Sequence, residues 1–420
     1  MDRLPGFRDF LPAPVAQKDL WEFEARDYLF SKWRRVAIAY GFREYDGPPL
    51  EPLELLTKKS GEEIVGQLYH FEDKGNRKVA LRPEMTPTLA RMIAANERQY
   101  KKPIKWFSIP QLFRYERKQK GRLREHFQLN ADIVGEGGEG ADAELIALLI
   151  DVLRSVGLTA EDFVIRLSSR EAWQQYLARH PDFRGDEYGF FQVVDKLERM
   201  PEEVADARLR EFGLSLASIQ EFIGAGTPTP ALQQVLDNLG ARGLDAFVKV
   251  DYGIIRGLAY YTGIVFEAFD RRGEFRAIAG GGRYDQLIQL VSDGKTDLPA
   301  LGFGMGDVVL LELLRSRQLL PEWDSRLDVY CLLEDQNRQA DLLGLLQWLR
   351  DEGIRVDSSL IPIKPNKQFR QASDLGARFL ATPQGEGGLV RLKDLHLRDD
   401  EQVLSREDLL AELRRRLKES

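Results

Sequence analysis

Apolar residues recur with a helical period over residues 15–40. Ala25, Leu29, Trp33, Val36 and Tyr40 stand four, four, three and four positions apart, and Gly41 ends the run. A proline-rich extended piece follows at Pro48, Pro49 and Pro52. Short apolar runs predict strands over residues 79–82, 106–109 and 112–116. Residues 127–134 alternate cleanly, with Phe127, Leu129, Ala131 and Ile133 apolar and Gln128, Asn130 and Asp132 polar. That period of two predicts a half-buried antiparallel strand whose polar face meets solvent or a ligand. On the helix predicted next, Ile146, Leu149, Ile150 and Leu153 share one face. Residues from about 170 to 245 are helical, polar and punctuated by Pro201, Gly224, Gly226, Pro228 and Pro230, which suggests an inserted helical subdomain. Strand signals return at 246–251 and 259–269.

A boundary falls near residues 320–326, giving expected domains 1–323 and 326–420. In the second, strands over 327–333, 354–357, 377–381 and 390–393 alternate with helices over 338–351 and 367–375 and a last helix from Ser405. Ser405 with Asp408 three positions on resembles a capping box. Such alternation in a short segment predicts a compact α/β module.

The length of 420 residues agrees with more than one core, since a single core stops growing at about 250–300. No run approaches the roughly 18 apolar residues of a membrane span. The start, Met1-Asp2-Arg3-Leu4-Pro5-Gly6, has no apolar signal region, so the expected compartment is the cytoplasm, with no membrane partner. Cys331 is the only cysteine and the four histidines are scattered. An intramolecular disulfide and a multi-cysteine zinc site are therefore excluded, and no metal site built from protein ligands is expected. The net charge of −7 argues against a general nucleic-acid coat but leaves local basic patches, which cluster over residues 114–124 and 364–378.

Two motifs stand out along the chain. Gly135-Glu136-Gly137-Gly138-Glu139-Gly140 fits a dinucleotide-binding G-x-G-x-x-G pattern. However, Glu136 and Glu139 carry the wrong charge for a pyrophosphate, and the preceding strand is half polar, so an acidic turn is the better reading. The block from Leu112 to Gln128 is more informative. Period two puts Arg114 and Glu116 on one strand face, and the cationic loop returns into the alternating strand as a hairpin with a long basic tip. An arginine on a rigid strand suits a phosphate, because its planar fork binds oxygens bidentately and keeps its charge.

This block resembles motif 2 of the class II aminoacyl-tRNA synthetases, in the form typical of the histidyl-tRNA synthetase family. Four further blocks agree in order: Pro5-Gly6-Phe7-Arg8-Asp9 at the start, Leu81-Arg82-Pro83-Glu84-Met85-Thr86 as the amino-acid-binding turn, Arg256-Gly257-Leu258-Ala259-Tyr260-Tyr261-Thr262-Gly263 with Phe266-Glu267, and Gly280-Gly281-Gly282-Arg283-Tyr284-Asp285. The tail from Lys367-Gln368-Phe369-Arg370 to Leu392-Lys393-Asp394-Leu395 fits as well. Singly, each motif has an ordinary structural explanation, such as tyrosines packing in a sheet or glycines forming a turn. Their joint order is what carries the resemblance.

The resemblance implies an α/β (α+β) fold: a class II antiparallel sheet flanked by helices, plus a C-terminal α/β anticodon-binding domain. It implies activation of L-histidine by ATP, with Mg2+ accompanying the ATP, then transfer to tRNA-His. Arg114 and Arg256 are the expected catalytic cations at the α-phosphate. Glu84 would take the substrate ammonium, and Thr86, Gln128, Asp132, Arg256, Tyr260, Tyr261 and Tyr284 would complete the histidine site, with Tyr261 and Tyr284 at the imidazole. Glu116 would bind the adenine side, Arg122 the β- and γ-phosphates or the tRNA acceptor end, and Gly281, Gly282 and Arg283 the nucleotide. Lys364, Lys367 and Arg370 are the tRNA-contact candidates. Residues 48–52 resemble motif 1, a dimer element, which implies a homodimer.

Three features depart from the commonest family pattern. Ala259 stands where Asp is usual, His126-Phe127 inverts the usual order, and Val309 falls where class II enzymes place the motif 3 arginine. Arg122, Arg124 or Arg283 are the candidates to replace that arginine. The competing reading is a non-catalytic relative, the regulatory subunit of ATP phosphoribosyltransferase in histidine biosynthesis. The missing arginine favours it; the tail module and the intact motif 2 and Arg-Gly-Leu residues oppose it.

Overall fold

The computed structural model describes residues 2–13, 21–60, 62–115, 123–197, 200–255, 261–323, 327–361, 363–384, 388–397 and 400–418. Four expected site residues, Glu116, Arg122, Arg256 and Tyr260, lie outside them. The chain divides into two compact units, Met1–Pro321 and Glu322–Ser420.

The first unit is built on a nine-stranded sheet. From one edge its strands are Val248–Val250, Phe163–Ser169, Ile264–Asp270, Ala279–Arg283, Ala300–Gly306, Glu125–Val134, Ile104–Ser108 and Arg43–Glu44, while Gln111–Phe113 pairs with the start of Glu125–Val134. The interior is antiparallel, and the outermost pair at each end is parallel. The sheet is thus mixed at its edges. The helix Glu139–Ser155 buries Leu145, Ile146, Leu148, Leu149, Ile150, Val152 and Leu153, a side-chain set that stabilises by about 1.5–3 kcal/mol each. Between Phe163–Ser169 and Val248–Val250 come five α-helices among the described residues, from Arg170–Ala178 to Pro230–Ala241.

The first long helix is Phe23–Ala39, and it buries Ala25, Leu29, Trp33 and Ala37. Ala37 takes the place expected of Val36, because the buried stripe follows steps of four rather than drifting by three. Trp21–Glu22, expected to be helical, pairs instead with Phe10–Leu11. A small sheet of Leu50–Pro52, Lys78–Leu81 and His70–Glu72 completes this unit.

The second unit has a five-stranded sheet in the order Val356–Ser358, Val329–Cys331, Phe379–Gln384, Leu389–Asp394, Glu401–Leu404. Its first three strands are parallel and the last two pairings antiparallel. The edge strand Glu401–Leu404 is almost wholly exposed, so no apolar alternation announced it. Ser405 does cap the last helix: its Oγ accepts from the Asp408 backbone N–H at 3.1 Å and donates to Asp408 Oδ2 at 2.7 Å.

Candidate functional site

Directly opposed residues in a sheet share a face, and successive residues alternate. The observed register therefore lays out one face in full. Asp132 lies opposite Gly302, which lies opposite Gly282; Asn130 lies opposite Gly304, which lies opposite Gly280; Gln128 lies opposite Gly306. Five glycines thus leave a strip of bare backbone, bordered on one side by Gln128, Asn130 and Asp132. On the other side Gly282 is opposite Val265 and Gly280 is opposite Glu267.

The glycines are needed because the border side chains lean over them. A Cβ on Gly302 would stand 1.8 Å from Asp132 Oδ1, and one on Gly304 would stand 2.7 Å from Gln128 Cδ. At Gly282 it would meet Tyr261 Cδ1 at 3.1 Å, so the Tyr261 ring covers that end of the floor. Tyr284, two residues beyond Gly282 on the same face, donates its hydroxyl proton to Asp132 Oδ1 at 2.5 Å, with both residues buried. The polar face of the alternating strand is therefore itself enclosed, rather than open to solvent. A carboxylate held by a phenol at the end of a glycine trough suits a small polar ring bearing an N–H.

The substrate-side turn is fixed by Arg82. This buried residue donates from Nη1 to Gly47 O at 2.6 Å and from Nε to Gln111 O at 3.3 Å. Its own backbone bonds Pro49 O at 2.9 Å and the Phe113 N–H at 3.0 Å. Half-buried Glu84 follows in the turn, and half-buried Thr86 opens the helix Thr86–Asn96. Arg114 joins this turn to the basic hairpin: its Nε donates to Pro83 O at 3.2 Å and its backbone N–H to Arg124 O at 2.9 Å. Arg124 in turn donates its N–H to Gly6 O at 2.9 Å and holds its guanidinium 4.5 Å over the Tyr115 ring.

Two expected nucleotide contacts are not brought to the trough. Gly281 faces the back of the sheet, where an added Cβ would strike Gly302 O at 2.2 Å and the Phe303 Cβ at 2.6 Å. Arg283 also faces the back. It pairs there with Asp142 and donates to Glu136 O at 3.0 Å and Gly138 O at 3.2 Å. This buried arginine is occupied in holding the 135–140 turn. The same bonds show that this turn presents carbonyls to a cation, the reverse of a phosphate cradle. Val309 is half-buried in the helix Asp307–Ser316.

Burial pushes the Asp142 carboxyl up to about 6, against the pull of the Arg283 cation. A raised carboxyl pKa means the native state binds the proton more tightly. The stabilising contribution is then complete below about pH 4, the ordinary aspartate value, and is lost as pH rises to about 6. Asp142→Asn should remove this limb from the thermal-melting profile between pH 4 and 7.

Sequence reasoning missed Arg8. Its Nε donates to Glu125 Oε1 at 2.6 Å and its Nη1 to Asp307 Oδ2 at 2.9 Å, with all three side chains buried. Phe127 N–H also donates to Asp307 Oδ1 at 3.0 Å, and Gln111 Nε2 to Glu125 Oε2 at 2.9 Å. This knot ties the N-terminal segment to the base of the hairpin and to the start of the helix after the glycine strand.

A histidyl-tRNA synthetase family model matches residues 6–307. The chain belongs to the histidyl-tRNA synthetase family. It is 45% identical to a histidine–tRNA ligase of Opitutus terrae, across 95% of both chains. It is 38% identical to the chloroplastic/mitochondrial histidine–tRNA ligase of Arabidopsis thaliana, across 95% of this chain and 84% of that one. The fold agrees: the crystal structure of histidyl-tRNA synthetase from Nostoc sp. PCC 7120 superposes with a TM-score of 0.73 at 24% identity, covering 97% of this chain and 100% of that one. These relatives favour the ligase reading over the regulatory subunit. Within this family the class II catalytic fold accounts for the first unit's sheet.

Proposed function

We propose that the chain activates L-histidine with ATP and transfers it to the 3′-terminal ribose of tRNA-His. The observation that carries this reading is the glycine trough ending on the hydrogen-bonded pair Asp132 and Tyr284. In the first step a histidine carboxylate oxygen attacks the α-phosphorus, and the bond to the pyrophosphate oxygen breaks. Glu84 takes the substrate ammonium, and Thr86, Gln128, Tyr260 and Tyr261 position the amino acid. Asp132 accepts the imidazole N–H, with Tyr284 holding the carboxylate in place. Arg114 and Arg256 stabilise charge gathering on the α-phosphate oxygens. Glu116 and the Gly282 backbone bind the nucleotide, and Arg122 reaches its outer phosphates or the acceptor end. Mg2+ belongs to the ATP substrate, with oxygens supplied by the triphosphate and water. Among the described residues no group of His, Cys, Asp and Glu side chains is placed to hold a metal ion.

The second unit is proposed to bind the anticodon. Lys364, Lys367 and Arg370 are exposed on or beside the helix Pro365–Asp374, together with Phe369 at 43% exposure. Buried Gln368 anchors that helix through Leu333 and Ile363. Cations for phosphates beside an aromatic ring for stacking suit single-stranded RNA. A homodimer is proposed through the first unit's small sheet, where Leu50 and Phe71 are exposed beside the motif 1 segment. No described helix is long and apolar enough to cross a membrane, and the proposed compartment is the cytoplasm.

The test is histidine-dependent ATP–pyrophosphate exchange, wild type beside Arg256→Ala. Wild-type exchange should fall by about 100-fold in the variant. Histidine binding by the wild type without exchange would favour a regulatory role, and undiminished exchange in Arg256→Ala would remove its catalytic role.

A further inference from the structure

The helix Arg170–Ala178 has no part in the site above, yet it bonds to the chain on both sides of Arg256. In the sheet, Phe163–Ser169 lies between Val248–Val250 and Ile264–Asp270, and the helix starts directly from its end. Toward one neighbour, the Arg170 backbone N–H donates to Gly263 O at 3.1 Å. Toward the other, the indole N–H of buried Trp173 donates to Tyr252 O at 3.1 Å.

Tyr252 is held from several directions. It is fully buried, and its ring stacks on Phe222 of the helix Leu216–Ala225, with centroids 4.9 Å apart and planes 10° from parallel. Its hydroxyl donates to Thr227 O at 2.6 Å. On the sheet side, the Asp251 N–H donates to Leu167 O at 2.8 Å, and the Asp251 carboxylate accepts from the Gly253 N–H at 3.0 Å and pairs with Arg166 at 3.4 Å. The Ile254 N–H donates to Asp251 O at 3.2 Å, which closes a tight turn. Buried Ile254 and Ile255 follow, and Arg256 is next in the chain. Packing alone asks only for a large apolar ring at 173. A buried indole also needs an acceptor for its N–H, and here the acceptor is a carbonyl four residues before Arg256.

We propose that Trp173 is a positioning residue: its indole N–H fixes the turn at Tyr252 and so sets where Arg256 stands at the α-phosphate. This rests on the histidine-activating reading given above. A cation stabilises the transition state only where the charge develops, and a displacement of about 1 Å can cost on the order of 100-fold.

Trp173→Phe keeps an aromatic ring and removes the N–H. In ATP–pyrophosphate exchange its kcat should fall about 10-fold, with the KM for histidine within about threefold of wild type. In an Arg256→Ala background the same change should alter kcat by less than about twofold, because the residue it acts through is gone. Leu209→Ala, a cavity in a helix that carries none of these bonds, should leave kcat within about twofold of wild type. Tyr252→Phe, which frees the same residue from Thr227, should show the same dependence on Arg256 and serves if Trp173→Phe does not fold. An unchanged kcat, equal losses with and without Arg256, or an equal loss in Leu209→Ala would overturn the proposal. If the wild type shows no histidine-dependent exchange, the activation reading fails by itself. Amide hydrogen exchange then still reads the hold: faster exchange at residues 253–255 in Trp173→Phe than in Leu209→Ala supports it, and equal rates overturn it.

Discussion

Gly302→Ala should lower kcat/KM for histidine by about 1,000-fold or more while the protein remains folded. The added methyl would be placed 1.8 Å from Asp132 Oδ1, 2.7 Å from Asp132 Cγ and 3.1 Å from Ala131 O. The backbone oxygen is held in the strand ladder, so the Asp132 side chain is what must move. Moving it breaks the bond from Tyr284 and withdraws the acceptor from the imidazole N–H. Buried polar groups are then unpaired on both sides of the pocket, which is the condition for large losses in discrimination. Gly304→Ala is the internal comparison. The three atoms nearest its methyl would be those of the Gln128 side-chain amide, at 2.7–2.8 Å, and a flexible side chain yields more easily. Steady-state exchange kinetics should place Gly304→Ala between wild type and Gly302→Ala. Equal effects would mean that the glycines serve sheet packing and not the Asp132 position.

Arg8→Met should destabilise the first unit by about 3–5 kcal/mol, because it leaves two buried carboxylates without their cation. For a unit of this size that is a fall of roughly 10 °C in melting temperature. Glu125 and Asp307 are fully buried side chains, and among the described residues their ion pairs run to Arg8. Burial already pushes the Asp307 carboxyl upward even with Arg8 present. Without the cation the native state should bind a proton there still more tightly. The deficit is then largest near neutral pH and shrinks as pH falls toward about 4, where the unfolded carboxylate also takes its proton. Adding Glu125→Gln and Asp307→Asn to Arg8→Met should recover much of the loss. A melting temperature within about 2 °C of wild type for Arg8→Met alone would show that the knot contributes little.

The legible part of the fold was whatever a local period could carry. The alternation from Phe127 to Ile133 identified the strand that borders the trough, and the alternating elements after residue 327 identified the second unit's architecture. The strands Ala279–Arg283 and Ala300–Gly306 gave no such signal, because glycine weakens strand propensity and carries no side-chain pattern. Their glycines make sense only beside Asp132 and Gln128, which lie well over a hundred residues away along the chain. Adjacency along the chain groups Arg283 with its glycine neighbours. Strand alternation would have turned it, with Gly281, to the back of the sheet. Arg8 was invisible for a different reason. Its partners lie 117 and 299 residues along the chain.

The central claim is that the Asp132 end of the glycine trough receives the imidazole of histidine. Its most direct measurement is histidine-dependent ATP–pyrophosphate exchange by wild type and Asp132→Asn at neutral pH. The account predicts exchange by the wild type, and in the variant a loss of about 100-fold in kcat/KM for histidine with the KM for ATP unchanged. A variant that exchanges with the wild-type KM for histidine would contradict it.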